Sequence, residues 1–162
     1  MALLEDAGVE AIADVRRFPS SRRLPHFNRP ALESGLDEHG IGYAWLGEEL
    51  GGRREPRRDS PNSGWEVAGF RAYADHMQTP DFEHGIAALD AVASARLTAF
   101  MCAEGPWWRC HRRLVADAML VRGWTVEHVM PDGRIQAHEL TAFALADGER
   151  LTYPPAQQSL SD

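Results

Sequence analysis

The chain has 162 residues, 44% of them hydrophobic, enough for one domain with its own core. It contains no run of about 18 apolar residues, so no membrane span is expected, and its two cysteines make no disulfide framework. The net charge of −7 lends nothing to non-specific nucleic-acid binding, and the opening MALLEDAGVE lacks the basic start and apolar stretch of a secretory signal, so a reducing cytoplasm is the expected compartment.

Residues 2–8 read as a short helix closed by glycine, and residues 9–15 as a strand. Residues 16–28 form a polar loop with two prolines. Asn28 as N-cap and Pro30 as an early helical residue start a helix over 29–39, with Gly40 as its stop. Residues 41–46 are a second strand. Residues 47–64 are a long loop with no hydrophobic anchor after Leu50, and loops beyond about 12–15 residues are usually functional or disordered. Helical periodicity returns over 65–77, and Thr79-Pro80 starts another helix that runs to Ala95.

Residues 97–101 are continuously apolar, as expected of a strand buried on both faces. A helix follows from Cys110 or Arg112 to Arg122, then a stop at Gly123 and a strand over 125–130. Asp132-Gly133 makes a turn and residues 135–138 a short last strand. Residues 1–146 are taken as the folded domain and residues 147–162, with Pro154-Pro155 and a Gln/Ser end, as a flexible tail. The order of strands and helices predicts an α/β fold: a single three-layer domain with a mostly parallel sheet. Loops that follow strands open on one sheet edge, so 16–28, 47–64 and 103–110 are expected to converge.

All 17 basic residues are arginine, a bias that base composition alone explains. Their placement is less uniform, because nine fall between Arg16 and Arg58 against six acids. Three constellations carry chemistry. In the first, Asp14 ends a strand and needs a partner if it is buried; Arg16 and Arg22 are at hand. A structural ion pair and a binding role are both open. Ser20, Ser21 and Arg22 offer donors to an anion.

The second runs from Cys102 to Arg112. Cys110 lies at a helix start, beside His111 and between arginines, all of which favour a thiolate. His111 is an acid, a base or an anion donor. Glu104, next to Trp107 and Trp108, is a general acid or base. Cys102 reads as a small core residue. The tryptophans form a packed lid or a stacking platform for a nucleobase. Cys102, Cys110, His111 and His138 follow no standard zinc spacing, so no metal site is expected, and no residue pattern points to a cofactor. The third constellation is Arg53-Arg54-Glu55-Pro56-Arg57-Arg58, a basic loop suited to closing over a polyanion.

Together these segments resemble the domain-of-unknown-function 488 (DUF488) family. The likeness lies in Asp14-Val15-Arg16 with Pro19, Ser21 and Arg22; in Gly40-Ile41 followed by Tyr43, Leu46 and Leu50-Gly51-Gly52; in Phe70 through Tyr73 to Phe82; in Met101-Cys102-Ala103-Glu104 and Cys110-His111-Arg112; and in Val126 to His128 with Asp132-Gly133 and His138. It implies an α/β domain with a polar site built from these motifs, and no settled reaction. Family members carry a further strand, Thr-Ile-Gly-His-Ser or similar, ahead of the first helix. This chain starts at that helix, so the resemblance implies a sheet lacking the family's first strand. A weaker likeness is to rhodanese domains, which would make Cys102 the nucleophile.

The leading expectation is an enzyme, or enzyme-like domain, binding a phosphate-bearing ligand such as a nucleotide or nucleic acid. Asp14, Arg16, Ser21, Arg22 and Arg112 would hold the ligand, and Glu104, Cys110 and His111 would act on it. One alternative is sulfur or thiol chemistry at Cys102 or Cys110. Another is a non-enzymatic nucleic-acid or protein interaction module using the loop 53–58.

Overall fold

Successive residues of a strand point to opposite faces, and in β1 (Ala11–Asp14) both faces are apolar. Ile12 turns toward Val9, Leu36 and Ile41, forming a small core with α1 (Ala2–Asp6) and α2 (Arg29–Asp37). Ala13 and the following Val15 turn the other way, into a larger core. That core is built with α4 (Ala68–His76), α5 (Pro80–Ala95) and α6 (Arg112–Val121). A sheet between two helical layers results, in the computed structural model, which describes residues 1–155.

The sheet is three-stranded and parallel, in the order β2 (Gly42–Trp45), β1, β3 (Thr98–Met101). Asp14 lies opposite Trp45 on one side and Met101 on the other. The one-turn helix α3 (Gly47–Leu50) follows β2 and leads into the loop expected from residue 47. Thr79 caps α5 by accepting the Phe82 N–H at 3.3 Å, with Pro80 at the first helical position. Gly123 stops α6 at φ +89°, a backbone angle that side chains disfavour. Among the described residues no helix is long and apolar enough to cross a membrane.

Four local expectations change. Asn28 stands at the N-cap of α2, but its side chain accepts the Ser21 N–H instead of capping the helix. β3 is only half-buried, because among the described residues no strand pairs with its outer side. The strand expected over 125–130 shortens to β4 (Glu127–Val129) and does not join the parallel sheet. It pairs antiparallel with β5 (Ile135–Ala137) across the turn at Gly133, so its backbone groups are met locally. Finally, the segment expected as a tail is part of the fold as far as residue 155. Its hairpin, β6 (Leu145–Asp147) and β7 (Arg150–Thr152), seats Leu151 and Tyr153 in the larger core. Residues 156–162 lie outside the described residues.

The loops after β1 and β2 meet so closely at Gly47 that a Cβ there would fall 1.9 Å from the Arg16 carbonyl oxygen. The clash is with backbone, which cannot swing aside. Gly47→Ala is therefore expected to destabilise the domain by about 3 kcal/mol or more. Urea unfolding against wild type measures it, and a cost near zero would show that the two loops move apart freely.

Candidate functional site

The Asp14 carboxylate is fully buried at the end of β1 and is met on all sides. Arg16 turns back onto it, giving Nε to Oδ1 at 2.8 Å and Nη2 to Oδ2 at 2.6 Å, while the Arg16 backbone N–H reaches Oδ1 at 3.0 Å. Tyr43 from β2 donates its hydroxyl to Oδ2 at 2.7 Å. The remaining guanidinium nitrogen, Nη1, donates to the Phe27 carbonyl at 2.7 Å. Hydrogen bonding to Asp14 raises the Arg16 pKa further, and burial pushes the Tyr43 phenol up, helped by the same carboxylate. The whole unit is a structural clamp holding the 16–28 loop, and only 5% of Arg16 remains exposed.

A second cluster forms where β3 ends and α6 begins. Cys102 follows β3 and is half-buried; Cys110 and His111 precede α6. Both sulfurs and His111 Nδ1 lie within 4.8 Å of one another. Nδ1 is 3.8 Å from the Cys102 Sγ and 3.7 Å from the Cys110 Sγ. The other imidazole nitrogen, Nε2, is 3.2 Å from the Val15 carbonyl. A carbonyl only accepts, so Nε2 carries a proton and Nδ1 is the nitrogen that faces the two sulfurs. Tyr73 packs against the imidazole with ring centroids 4.9 Å apart, and its own hydroxyl donates to the Leu50 carbonyl at 2.7 Å. Gly52 closes the other approach, since a Cβ there would sit 3.0 Å from Nδ1.

The two thiols are driven in opposite directions. The nearby Cys110 thiol, its sulfur within 4.8 Å, is the largest cause that pulls the Cys102 pKa down, to about 4. His111 and the Glu104 backbone N–H add to it, against the opposing effect of burial. The Cys102 sulfur, with burial, pushes the Cys110 thiol far up. The direction of these shifts favours a thiolate at Cys102, whereas the helix-start argument places it at Cys110. Cys110 is only 2% exposed and is the thiol kept protonated. Two sulfurs and one imidazole nitrogen are, among the described residues, the three-ligand donor set of an open zinc site and one short of a closed structural one.

The other expected residues are placed as follows. Glu104 is exposed. Its backbone carbonyl accepts Arg112 Nη2 at 2.6 Å, and the Gly105 carbonyl accepts the same nitrogen at 3.0 Å. Arg112 thus ties the loop after β3 to the start of α6, while its backbone N–H reaches the Cys110 Sγ at 3.4 Å. Ser21 accepts the Leu24 N–H within its own turn, and Arg22 beside it is exposed. In the basic loop, Arg54 donates to the carbonyls of Glu48, Glu49 and Gly51, closing the end of α3. Asp75, 2% exposed on α4, pins the rest by accepting from the Arg57 N–H, the Ser60 hydroxyl and Asn62 Nδ2. These contacts tie the loop to α3 and α4.

The strand ends and one of the expected loops meet at His111, not at a shared set of guanidinium groups. Val15 lies just ahead of the 16–28 loop, Gly52 within the 47–64 loop and Cys102 just ahead of the 103–110 loop. Tyr73 and Gly52 were missed as site residues. Both stand among the family motifs, Tyr73 between Phe70 and Phe82 and Gly52 after Leu50-Gly51, and those motifs were the available signal.

The family model described as "Domain of unknown function DUF488" matches residues 1–119. No curated protein matches the chain, and no solved structure does. Nothing in these matches supports the likeness to rhodanese domains.

Proposed function

The chain belongs to the DUF488 family, and from that premise we propose that it is a dithiol enzyme, with Cys102 as nucleophile, Cys110 as resolving thiol and His111 as the base between them. The supporting observation is the meeting of two sulfurs and one imidazole nitrogen within 4.8 Å. A nucleophile must be ionised to attack, and its partner must stay protonated until its turn. The opposed pulls on Cys102 and Cys110 supply that order.

In the proposed reaction the Cys102 thiolate attacks one sulfur of a substrate disulfide. The substrate S–S bond breaks, a thiolate leaves and takes up a proton, and a mixed disulfide forms on Cys102. Cys110 then gives its proton to His111 Nδ1 and attacks the Cys102 sulfur. The second substrate thiolate leaves. The substrate has gained two electrons and two protons, and the protein has become a Cys102–Cys110 disulfide.

The phosphate reading loses its main support at Arg16, whose donors Asp14 and the Phe27 carbonyl already occupy. Hydroxyethyl disulfide tests the thiol reading by intact mass. Wild type is expected to lose a pair of hydrogens and keep no adduct. Cys110→Ala is expected to keep one mercaptoethanol adduct, and Cys102→Ala to take none. Two stable adducts on wild type, or no reaction at all, would overturn it.

A further inference from the structure

The cluster between β3 and α6 has the chemistry of a metal site as well as that of a dithiol. Thiolate sulfur and imidazole nitrogen are donors that zinc takes readily, whereas magnesium and calcium prefer oxygen. Cys102, Cys110 and His111 bring two sulfurs and one ring nitrogen within 4.8 Å of one another. These residues follow no standard zinc spacing along the chain. The turn of the loop after β3 brings them together instead.

Bond lengths decide whether the cluster is tight enough. Zinc holds sulfur at about 2.3 Å and imidazole nitrogen at about 2.1 Å in a tetrahedral arrangement, which sets a bound sulfur and nitrogen about 3.6 Å apart. His111 Nδ1 is 3.8 Å from the Cys102 Sγ and 3.7 Å from the Cys110 Sγ. Both separations exceed the bound value by only about 0.1–0.2 Å. A slight turn of the side chains closes that gap.

The surroundings fit a ligand set too. A metal-binding histidine usually gives its other ring N–H to a carbonyl or carboxylate, which fixes the ring and leaves the binding nitrogen bare. Here Nε2 lies 3.2 Å from the Val15 carbonyl, and Nδ1 faces the sulfurs. The Arg112 backbone N–H reaches the Cys110 Sγ at 3.4 Å, an outer hydrogen bond of the kind that supports a bound thiolate. The lack of a side chain at Gly52 keeps Nδ1 clear, since a Cβ there would sit 3.0 Å from it. Among the described residues no fourth His, Cys, Asp or Glu completes the set. Cys102 and His111 are each part-buried, and a zinc ion with three protein ligands keeps an exchangeable fourth position.

We propose that Cys102, Cys110 and His111 bind one zinc ion in the reduced protein, through both sulfurs and His111 Nδ1, with the fourth position open to water or an added thiol. The sulfurs bind as thiolates, so any thiol proton passes to solvent as zinc enters. The site uses the residues of the thiol reading but not its reaction, which belongs to the metal-free protein.

The first test titrates cobalt(II), as a coloured stand-in for zinc, into the reduced, metal-free full chain. One equivalent is expected to raise sulfur-to-cobalt charge-transfer absorption in the near ultraviolet, and zinc is expected to abolish it by displacement. Zinc calorimetry is expected to give one ion per chain. Cys102→Ser, Cys110→Ser and His111→Gln are each expected to bind zinc at least about 100-fold less tightly, beyond the cost of losing an outer hydrogen bond. The cobalt spectrum needs no variant, and Cys102→Ser changes a part-buried position, so the test survives a failure of Cys110→Ser to fold. Absorption without the thiolate band, zinc held as tightly by Cys102→Ser as by wild type, or no uptake of either ion would each overturn the proposal. Zinc uptake by a protein inert to hydroxyethyl disulfide would keep the metal site and remove the dithiol enzyme, and a reactive protein that takes up no zinc would do the reverse.

Discussion

Iodoacetamide is expected to modify Cys102 near pH 5 about 30-fold faster than it modifies free cysteine. The figure combines two opposing effects. With the pKa pushed down to about 4, Cys102 is almost entirely thiolate there, which is about 3,000-fold more thiolate than an ordinary cysteine offers. A thiolate of low basicity is also a poorer nucleophile, by about 100-fold over that span. The ionised fraction wins at low pH, and the advantage shrinks as free cysteine ionises toward alkaline pH. Below about pH 4 the rate falls as Cys102 itself takes up a proton.

Cys102→Ser should remove the fast phase, since Cys110 is buried and held protonated. Cys110→Ala should move the profile of Cys102 upward, because the Cys110 thiol is the largest cause of its low pKa. His111→Gln should move it the same way by a smaller amount. A rate profile with a midpoint in the ordinary thiol range would remove the thiolate from the site and the proposed enzyme with it.

Asp14→Ala is expected to cost about 3–5 kcal/mol of stability, the usual penalty for leaving a buried charge without its counter-charge. Arg16, 5% exposed, would keep its positive charge while losing the partner that receives four of its hydrogen bonds. The Tyr43 hydroxyl would lose its acceptor as well. For a domain of this length the loss corresponds to a fall in Tm of about 10 °C or more. The double variant Asp14→Leu with Arg16→Met should recover much of the loss, because an apolar pair of similar volume needs no desolvation of charge. Urea unfolding of the single and double variants closes the cycle. A cost below about 1 kcal/mol for Asp14→Ala would mean that water reaches Arg16 readily.

The same clamp illustrates what could be read before any coordinates. Asp14 near a strand end with Arg16 two residues on was visible as a pair, but not which way the guanidinium would face. That depends on Tyr43 and the Phe27 carbonyl, which arrive from other segments. The helix starting at Thr79-Pro80 and the stop at Gly123 were legible because capping and positive φ are local matters. The β4 strand was legible as a strand but not in its pairing. Apolar residues read alike in either direction, and the hairpin turn at Gly133 settles the question.

The β6–β7 hairpin escaped notice because its three-residue strands are mostly exposed and too short to show alternation. Tyr153 gave no warning of its buried hydroxyl contact with Asp117, 36 positions away. At the thiol site, local signals favoured Cys110, and they were true as far as they went. What favours Cys102 instead is the nearness of two sulfurs eight residues apart in the chain, with opposite pulls on their protons.

The central position of β1 also governs how the chain comes together during synthesis. Ala11 pairs with Gly42 on one side, but on the other its partner Thr98 is 87 residues further along. Closing so wide a loop delays assembly, because its entropy is lost before the contacts repay it. A nascent chain can join β1 to β2 early, yet one rim of β1 stays bare until β3 leaves the ribosome. Tyr153 must then follow before Asn62 and Asp117 have their partner. The last described residues are thus the final pin of a fold whose first strand is among the earliest to emerge, and a messenger cut short before them would release a chain with its core unlatched.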